Sequence, residues 1–246
     1  MSKVITILGA GPGLGVSVAR RFGREGFRVA LVARRKERLD ALVGELADEG
    51  IEAAAFPVDL TDFTAVPALV ASIKARFGRI DVVQYAPIGL DLLFTPAAEL
   101  SGERLRTLLD LFTVTPVTVV QAVLPEMIER GDGAILVTHG STAAQPIPNM
   151  SGLGPAMAAT RNYLYSLHGE LADKGIYVGT LTVGAVIARS AGHRAITSGD
   201  MPFELPQGTE FPVVDPDDLA AQYWDMYTRR DGVERVNPTV ELAPVA

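Results

Sequence analysis

The first 34 residues hold the feature that most constrains the fold, a glycine-rich turn between a strand pattern and a helix pattern. A run rich in β-branched residues, 4–8, ends at Gly9, and Gly13 and Gly15 follow it. Apolar residues at helical spacing come next, and a second apolar run covers residues 29–33. The order of strand, glycine turn, helix and strand is the context in which such glycines indicate dinucleotide binding.

The glycines of this turn have separate physical roles. Gly9 lets the chain turn tightly off the strand. Gly13 and Gly15 lack the Cβ that would keep the backbone from a pyrophosphate and the helix from the sheet. The helix then directs its free N–H groups and the positive end of its dipole at the phosphates. We therefore predict that Gly9, Gly13, Leu14 and Gly15 bind a dinucleotide, and the alternative is a glycine-rich turn without a ligand.

The end of the second strand indicates which dinucleotide is bound. A carboxylate at this point would hold the 2′-hydroxyl of the adenosine ribose, but the chain reads Arg34-Arg35. Arginine suits a 2′-phosphate, so the sequence favours NADP(H) over NAD(H). The alternative is that both arginines are the solvated start of the next helix, which also carries Lys36 and Arg38.

The composition limits the classes of protein to which the chain can belong. Its 246 residues are enough for one large α/β domain, and 48% hydrophobic residues with 24 glycines exclude disorder as the dominant state. A net charge of −7 argues against a nucleic-acid partner and against an anionic membrane surface. Without cysteines and with three scattered histidines, no metal site is predicted. We expect no bilayer-spanning segment and no signal segment, and hence a cytoplasmic protein.

Strand and helix patterns alternate along the rest of the chain. Six such alternations predict a single Rossmann-type α/β domain over residues 1–246, with a doubly wound parallel sheet flanked by helices on both faces. The segment 184–214 lacks clean periodicity and is too long for an ordinary connection, so we interpret it as a substrate loop or lid. At most one short strand is expected after residue 233. The last predicted helix is expected to dock through its aromatic residues Tyr223, Trp224 and Tyr227.

With its glycines spaced as G-x-x-x-G-x-G, the chain resembles the short-chain dehydrogenase/reductase family over about residues 1–230. Asp59 after the third strand, Ala86 at the end of the fourth and Gly184 after the sixth fit the same family pattern. The resemblance implies that Asp59 touches the adenine, and it adds Asp59, Leu60, Ala86 and Gly184 to the predicted cofactor-binding residues. It also implies a homodimer or a homotetramer, since relatives of this fold commonly associate through their long helices.

The proton chemistry of that family depends on an Asn, a Ser and a Tyr-x-x-x-Lys pair, and this sequence replaces all four. The family template places Phe112 at the Asn, Gly140 at the Ser, Leu153 at the Tyr and Met157 at the Lys. In the family the Tyr donates or accepts the proton, the Lys lowers its pKa, and the Ser holds the substrate oxygen. No Tyr-x-x-x-Lys occurs anywhere in the chain. We therefore expect an apolar pocket floor formed by Leu153, Met157 and Phe112.

Several side chains are candidates to replace the lost chemistry. His139 ends the fifth strand; it points away from the nicotinamide if the strand stays extended, and toward it if the chain turns at the next residue. Tyr85 either reaches the nicotinamide or fills space left by a missing partner. Arg161 either meets an anionic substrate or lies on the surface. Tyr163 is expected to face elsewhere, and Tyr165 to lie too far along its helix.

Two hypotheses of function follow. The first is an atypical NADP(H)-dependent oxidoreductase for a small, fairly apolar substrate that needs no strong acid, such as an iminium or a quinone-like enone. The second is a non-redox protein on the same scaffold: a dinucleotide-sensing pseudoenzyme, or an isomerase, cyclase or dehydratase. A chain that binds no dinucleotide is a third alternative.

Overall fold

The computed structural model describes residues 2–89, 95–199 and 212–238. Their central feature is a seven-stranded sheet in the order β3-β2-β1-β4-β5-β6-β9, in which every neighbouring pair is parallel. A separate two-stranded sheet pairs β7 with β8. The strands are β1 Val4–Leu8, β2 Arg28–Ala33, β3 Ala53–Pro57, β4 Val82–Tyr85, β5 Gly133–Gly140, β6 Ile176–Val183, β7 Val186–Ile187, β8 Val213–Val214 and β9 Glu234–Asn237.

Helices connect the strands and cover both faces of the large sheet. They are α1 Leu14–Gly23, α2 Lys36–Asp48, α3 Val66–Phe77, α4 Gly102–Leu109, α5 Thr115–Arg130, α6 Leu153–Leu171, α7 Ala191–Ser198 and α8 Pro216–Arg229. Side-chain caps start three of them: Ser101 for α4, Ser190 for α7 and Asp215 for α8 each accept a hydrogen bond from a first-turn backbone N–H. A π-helical segment, Asp110–Val114, joins α4 to α5.

Two hydrophobic layers hold the helices on the sheet. Helices α1, α2 and α8 pack on one face, and α3, α4, α5 and α6 pack on the other. The doubly wound parallel sheet predicted from the sequence is therefore confirmed, and the short strand expected in the tail is β9 at its edge. The strand order reverses between β1 and β4, and ligands of such sheets bind beyond the carboxyl ends of the strands at this point.

The last helix docks as predicted, through its aromatic residues. Tyr223 is fully buried, and the rings of Trp224 and Tyr227 lie 5.2 Å and 5.6 Å from that of Phe22 on α1. Edge-to-face aromatic contacts of this kind add to the energy of apolar burial. The second half of α8 is thereby held against the end of α1.

The segment 184–214 contains more regular structure than its pattern indicated. It holds β7, α7 and β8, while residues 200–211 lie outside the described ranges. The short strands pair Val186 with Val213 and Ile187 with Val214, a contact across distant parts of the segment that periodicity does not reveal. The interpretation of this segment as a lid stays a prediction.

One expectation about segment length was wrong. Among the described residues, the continuous helical stretch Gly102–Arg130 is long and apolar enough to span a bilayer. Its length arises because the π-helical segment joins α4 to α5 without a break, so that the helix continues through Pro116 and Pro125. Core helices pass the same test of length and composition, and Val119, Val123 and Met127 of α5 are buried in the core.

Candidate active site

The glycine turn after β1 has the tight geometry that its sequence indicated. Gly9 has a φ of +95°, and a Cβ there would lie 2.5 Å from the backbone nitrogen of Pro87 at the end of β4. A Cβ on Gly15 would lie 2.9 Å from Cα of Ala10, so this residue brings the helix close to the turn. Both contacts are with backbone atoms, which leaves a side chain no space at either position.

The first turn of α1 has no side-chain cap. Gly13 is its N-cap residue and supplies no side-chain hydrogen bond, and the first turn contains no acidic residue. Leu14, the first helical residue, is buried. The Val16 N–H donates to the Gly11 carbonyl at 2.9 Å, and the positive end of the helix dipole lies at the β1–α1 turn without a capping side chain.

A loop after β6 lies against this turn. A Cβ on Gly13 would be 3.1 Å from both Cα and Cβ of Ser190, so the described neighbour of Gly13 is the chain itself. Arg189, with a φ of +61°, holds the loop through ion pairs of 2.9 Å to Asp215 and 2.8 Å to Asp217 at the start of α8. The contact with Ser190 does not test the predicted role of Gly13, which is to let a pyrophosphate approach the backbone closely.

Three cations crowd the carboxyl end of β2. Arg34 and Arg35 follow the strand directly and are exposed, with Arg38 on the first turns of α2. Slight burial of the guanidinium, together with the positive charges of Arg38 and Arg34, lowers the pKa of Arg35. Within the described part of the chain, none of the three forms an ion pair. The cluster has the charge that a phosphate group requires.

The remaining predicted cofactor residues lie at the carboxyl edge of the sheet. Asp59 closes a turn by accepting hydrogen bonds from the backbone N–H (3.0 Å) and the hydroxyl (2.9 Å) of Thr61. Leu60 is buried, and its carbonyl accepts a 2.8 Å bond from the Thr115 hydroxyl. These contacts fix the backbone after β3.

Ala86 and Gly184 are positioned by sheet hydrogen bonds. The Ala86 N–H donates to the Leu8 carbonyl at 2.8 Å, and the Gly184 N–H donates to the Asn237 carbonyl at 2.9 Å. Ala86 therefore follows the end of β4, which neighbours β1, whereas Gly184 follows the end of β6, two strands farther along the sheet. Their contacts with a cofactor stay predictions.

The four positions that replace the family's proton-transfer residues converge. Phe112 lies on the π-helical segment, and Leu153 and Met157 lie on the first turns of α6; all three are buried in one hydrophobic cluster. The Met157 sulfur accepts a 3.3 Å hydrogen bond from the backbone N–H of Gly140 at the end of β5. None of the four residues has a titratable side chain, so their meeting point is apolar. That it forms the floor of a substrate pocket stays a prediction.

His139 points to the opposite face of β5. The strand stays extended through Gly140, so the reversing turn that was considered does not occur. The His139 ring is buried and its Nδ1 lies 2.7 Å from the Thr180 hydroxyl. Burial lowers the pKa of His139 to about 4, with Arg161 lowering it further and Glu234 opposing. The imidazole is therefore neutral near pH 7 and poorly suited to donate a proton.

Tyr85 fills space in the core. Its ring is buried in the cluster beneath α5 and α6, and its hydroxyl donates to the Leu111 carbonyl on the π-helical segment. Burial raises the pKa of Tyr85 well above its ordinary value. Of the two roles considered for Tyr85, the geometry favours packing.

The idea that Arg161 meets an anionic substrate was wrong, because Arg161 has a partner within the chain. Its Nε donates to both carboxylate oxygens of Glu234 on β9, at 3.0 Å and 3.1 Å. Tyr165 and Thr182 also donate to this carboxylate. Burial alone would raise the pKa of Glu234, but the bonds from Arg161, Thr182 and Tyr165 lower it to about 2. Glu234 had no signal in the sequence, since it lies 73 residues from Arg161.

Comparison with known proteins identifies the family. The family model of the short chain dehydrogenases matches residues 3–195. The chain belongs to the short-chain dehydrogenase family. It is 32% identical over 185 residues to sulfoacetaldehyde reductase 2 from Chromohalobacter salexigens, which covers 75% of this chain and 73% of that protein.

Solved structures of short-chain dehydrogenases share the fold over nearly the whole chain. An alcohol dehydrogenase from the archaeon Thermococcus sibiricus, complexed with 5-hydroxy-NADP, is 25% identical, with a TM-score of 0.79 and 99% of both chains covered. A short-chain oxidoreductase from Pseudomonas aeruginosa, described as containing an atypical catalytic centre, is 22% identical, with a TM-score of 0.83 and 98% of both chains covered. This second likeness supports the fold alone.

Proposed function

We propose that this short-chain dehydrogenase is an NADP(H)-dependent oxidoreductase that acts on a small, fairly apolar substrate without the family's usual proton-transfer residues. The observation that carries the proposal is the pairing of an uncapped α1 with unpaired arginines at the end of β2. The first provides N–H donors for a pyrophosphate and the second provides charge for a 2′-phosphate. The relatives support it, since one is a reductase and another holds an NADP derivative.

The residues of the site restrict the reaction. A bound nicotinamide supplies or accepts hydride. Leu153, Met157 and Phe112 offer a water-excluding surface that orients a flat apolar substrate, and none of them moves a proton. Loss of general acid–base help costs about 10²–10⁴ in rate, so the substrate is one whose reduction needs no strong acid at the reacting atom. Quinone-like enones and iminium ions meet this condition.

A non-redox function is the second candidate. The absence of a titratable side chain at Phe112, Gly140, Leu153 and Met157 favours a protein that binds the dinucleotide without turning it over. Such a chain would bind NADPH tightly, consume none of it, and retain a protein partner in pull-down experiments. A homodimer or homotetramer is part of either proposal, and sedimentation velocity measures it directly.

A binding experiment tests the cofactor assignment. Titration by NADPH fluorescence should show tighter binding of NADPH than of NADH. Arg34→Ala with Arg35→Ala should weaken NADPH binding about 10- to 100-fold, the loss of about 1.5–3 kcal/mol from a charge-assisted bond, and leave NADH binding nearly unchanged. Arg24→Ala, an exposed arginine on α1 that pairs with Glu49, is the matched control. Equal losses for both dinucleotides would contradict the 2′-phosphate role.

A turnover experiment separates the two candidates. The wild-type chain with saturating NADPH is offered quinones, enones and iminium ions, and NADPH consumption is followed by absorbance. Consumption with any of these classes supports the oxidoreductase. Tight NADPH binding with no consumption supports the non-redox candidate.

A further inference from the structure

The hydroxyl of Thr142 has no hydrogen-bond partner in the described part of the chain, although it is buried. Thr142 lies on the 3-10 turn that follows β5, and 6% of its surface is exposed. Buried hydroxyls almost always have a partner, because an unpaired one loses its bonds to water without replacement. A ligand bound beside Thr142 would supply the partner that this hydroxyl lacks.

Its position is beside Gly140, where the family template expects a serine. A Cβ on Gly140 would lie 3.6 Å from Oγ1 of Thr142 and 3.8 Å from the sulfur of Met157, which are ordinary contact distances. The space next to Gly140 is therefore bordered by one hydrogen-bond donor and one thioether. Met157 is already paired with the backbone N–H of Gly140, which leaves the Thr142 hydroxyl as the donor.

The start of α6 holds this hydroxyl in place. A Cβ on Gly154 would lie 3.2 Å from the carbonyl oxygen and 3.7 Å from Cβ of Thr142, so the threonine packs directly against the first turn of α6. Leu153 and Met157, on that same turn, form the apolar floor of the site. Thr142 thus brings a hydroxyl to this apolar meeting point; the nearby hydroxyls of Thr113 and Thr160 instead donate to the Ala156 and Phe112 carbonyls.

We propose that Thr142 Oγ1 donates a hydrogen bond to the carbonyl oxygen of the substrate, and that the substrate is consequently an enone or a quinone rather than an iminium ion. This rests on the proposed oxidoreductase function. A carbonyl oxygen accepts such a bond, whereas a fully substituted iminium nitrogen has no lone pair with which to accept it.

The proposed reduction needs no acidic side chain of the protein. A bound NADPH would supply hydride to the β-carbon of the enone and would become NADP⁺. The π pair of the carbon–carbon double bond would then form the double bond of the enolate, while the π pair of the carbonyl would move to its oxygen. The enolate then takes a proton from water. Thr142 keeps its own proton throughout and donates a hydrogen bond that strengthens as charge develops on the oxygen.

The test compares Thr142→Val, which removes the hydroxyl at nearly constant shape, with Thr142→Ser, which keeps it. With NADPH and an enone or quinone panel, kcat/KM should fall about tenfold in the valine variant, the effect of one hydrogen bond, and recover in the serine variant. The Kd for NADPH should not change in either variant. Wild-type turnover by the valine variant would overturn the proposal, and so would an equal loss with fully substituted iminium probes.

Thermal unfolding supplies a readout that does not depend on turnover. Because the hydroxyl has no partner in the chain, Thr142→Val should leave the Tm unchanged or raise it. Thr115→Val is the matched control: its hydroxyl is equally buried but donates to the Leu60 carbonyl, so its loss should lower the Tm. An equal decrease in both variants would show that Thr142 has a structural partner and would overturn the proposal.

The outcomes for the two proposals are distinct. The proposed function fails if the wild-type chain does not bind NADPH, or if it binds NADPH but consumes none with any probe. The second outcome also counts against the role of Thr142. Failure of the Thr142 assignment alone is a chain that binds and consumes NADPH while the valine variant matches the wild type.

Discussion

The neutral, buried His139 should make the stability of this protein depend on pH between 7 and 5. In the folded chain burial lowers its pKa from 6.5 to about 4. The unfolded chain therefore binds a proton over a pH range in which the folded chain does not. Stability contributed in this way is present above pH 6.5 and is lost as the pH falls toward 4.

The lowered pKa of His139 sets the size of the expected change in the free energy of unfolding. A pKa of about 4 in the folded state against 6.5 in the unfolded state corresponds to about 2 kcal/mol lost between pH 7 and pH 5, and about 3 kcal/mol at most. The charged groups near the ring are Glu234 and Arg161, which oppose each other, so burial decides the sign. Glu234 keeps its charge over this range, because its own pKa is lowered to about 2.

Urea unfolding at pH 7, 6 and 5, followed by circular dichroism, measures the effect. The comparison variant is His139→Asn, which retains a polar atom for the Thr180 hydroxyl and does not titrate. The free energy of unfolding should fall about 2 kcal/mol more in the wild type than in the variant from pH 7 to pH 5. Equal slopes in the two proteins would refute the assignment of a buried, neutral His139.

Two further perturbations test the framework of the site. Gly9→Ala should lower the free energy of unfolding by more than about 3 kcal/mol or prevent soluble expression. The reason is that a Cβ at a φ of +95° would lie 2.5 Å from the backbone nitrogen of Pro87. Wild-type stability in urea would contradict this expectation. Glu234→Gln should lower the free energy of unfolding by about 2 kcal/mol, because it leaves the guanidinium of Arg161 without its charge partner. Asp40→Asn, which breaks the exposed pair with Lys36, should lower it by less than about 0.5 kcal/mol. Equal costs for the last two, measured by the same denaturation, would show that the Arg161 pair behaves as a surface pair.

Much of the fold was predictable because its signals are local. The alternation of apolar runs with helical spacing predicted the parallel sheet, and the glycines predicted the β1–α1 turn. The pairing of β7 with β8 was missed, because it joins two short apolar dipeptides 27 residues apart in a segment with no periodicity. The long helical region over about residues 103–130 was predictable, but the π-helical segment Asp110–Val114 within it was not, because it carries no distinct sequence signal.

The site was predictable at the level of residue type. The sequence alone identifies Phe112, Gly140, Leu153 and Met157 as replacements that move no proton, and the structure brings these residues to one place. It did not indicate that Arg161 is occupied by Glu234, nor that Ser190 lies against Gly13. Both contacts join residues far apart in the chain, and they form only when β9 and the loop after β7 pack against the sheet.

By itself, the sequence determined that a glycine-rich turn joins β1 to α1 and that the family's acid–base side chains are replaced, because both follow from which residues occur at which spacing. The tertiary structure decided what surrounds them. Strand alternation in β5 turns the His139 ring away from Gly140, and the packing of α6 on the end of that strand leaves the Thr142 hydroxyl beside it. The direction of a side chain and the identity of its neighbours depend on how distant strands and helices are aligned, and no local sequence pattern specifies that alignment.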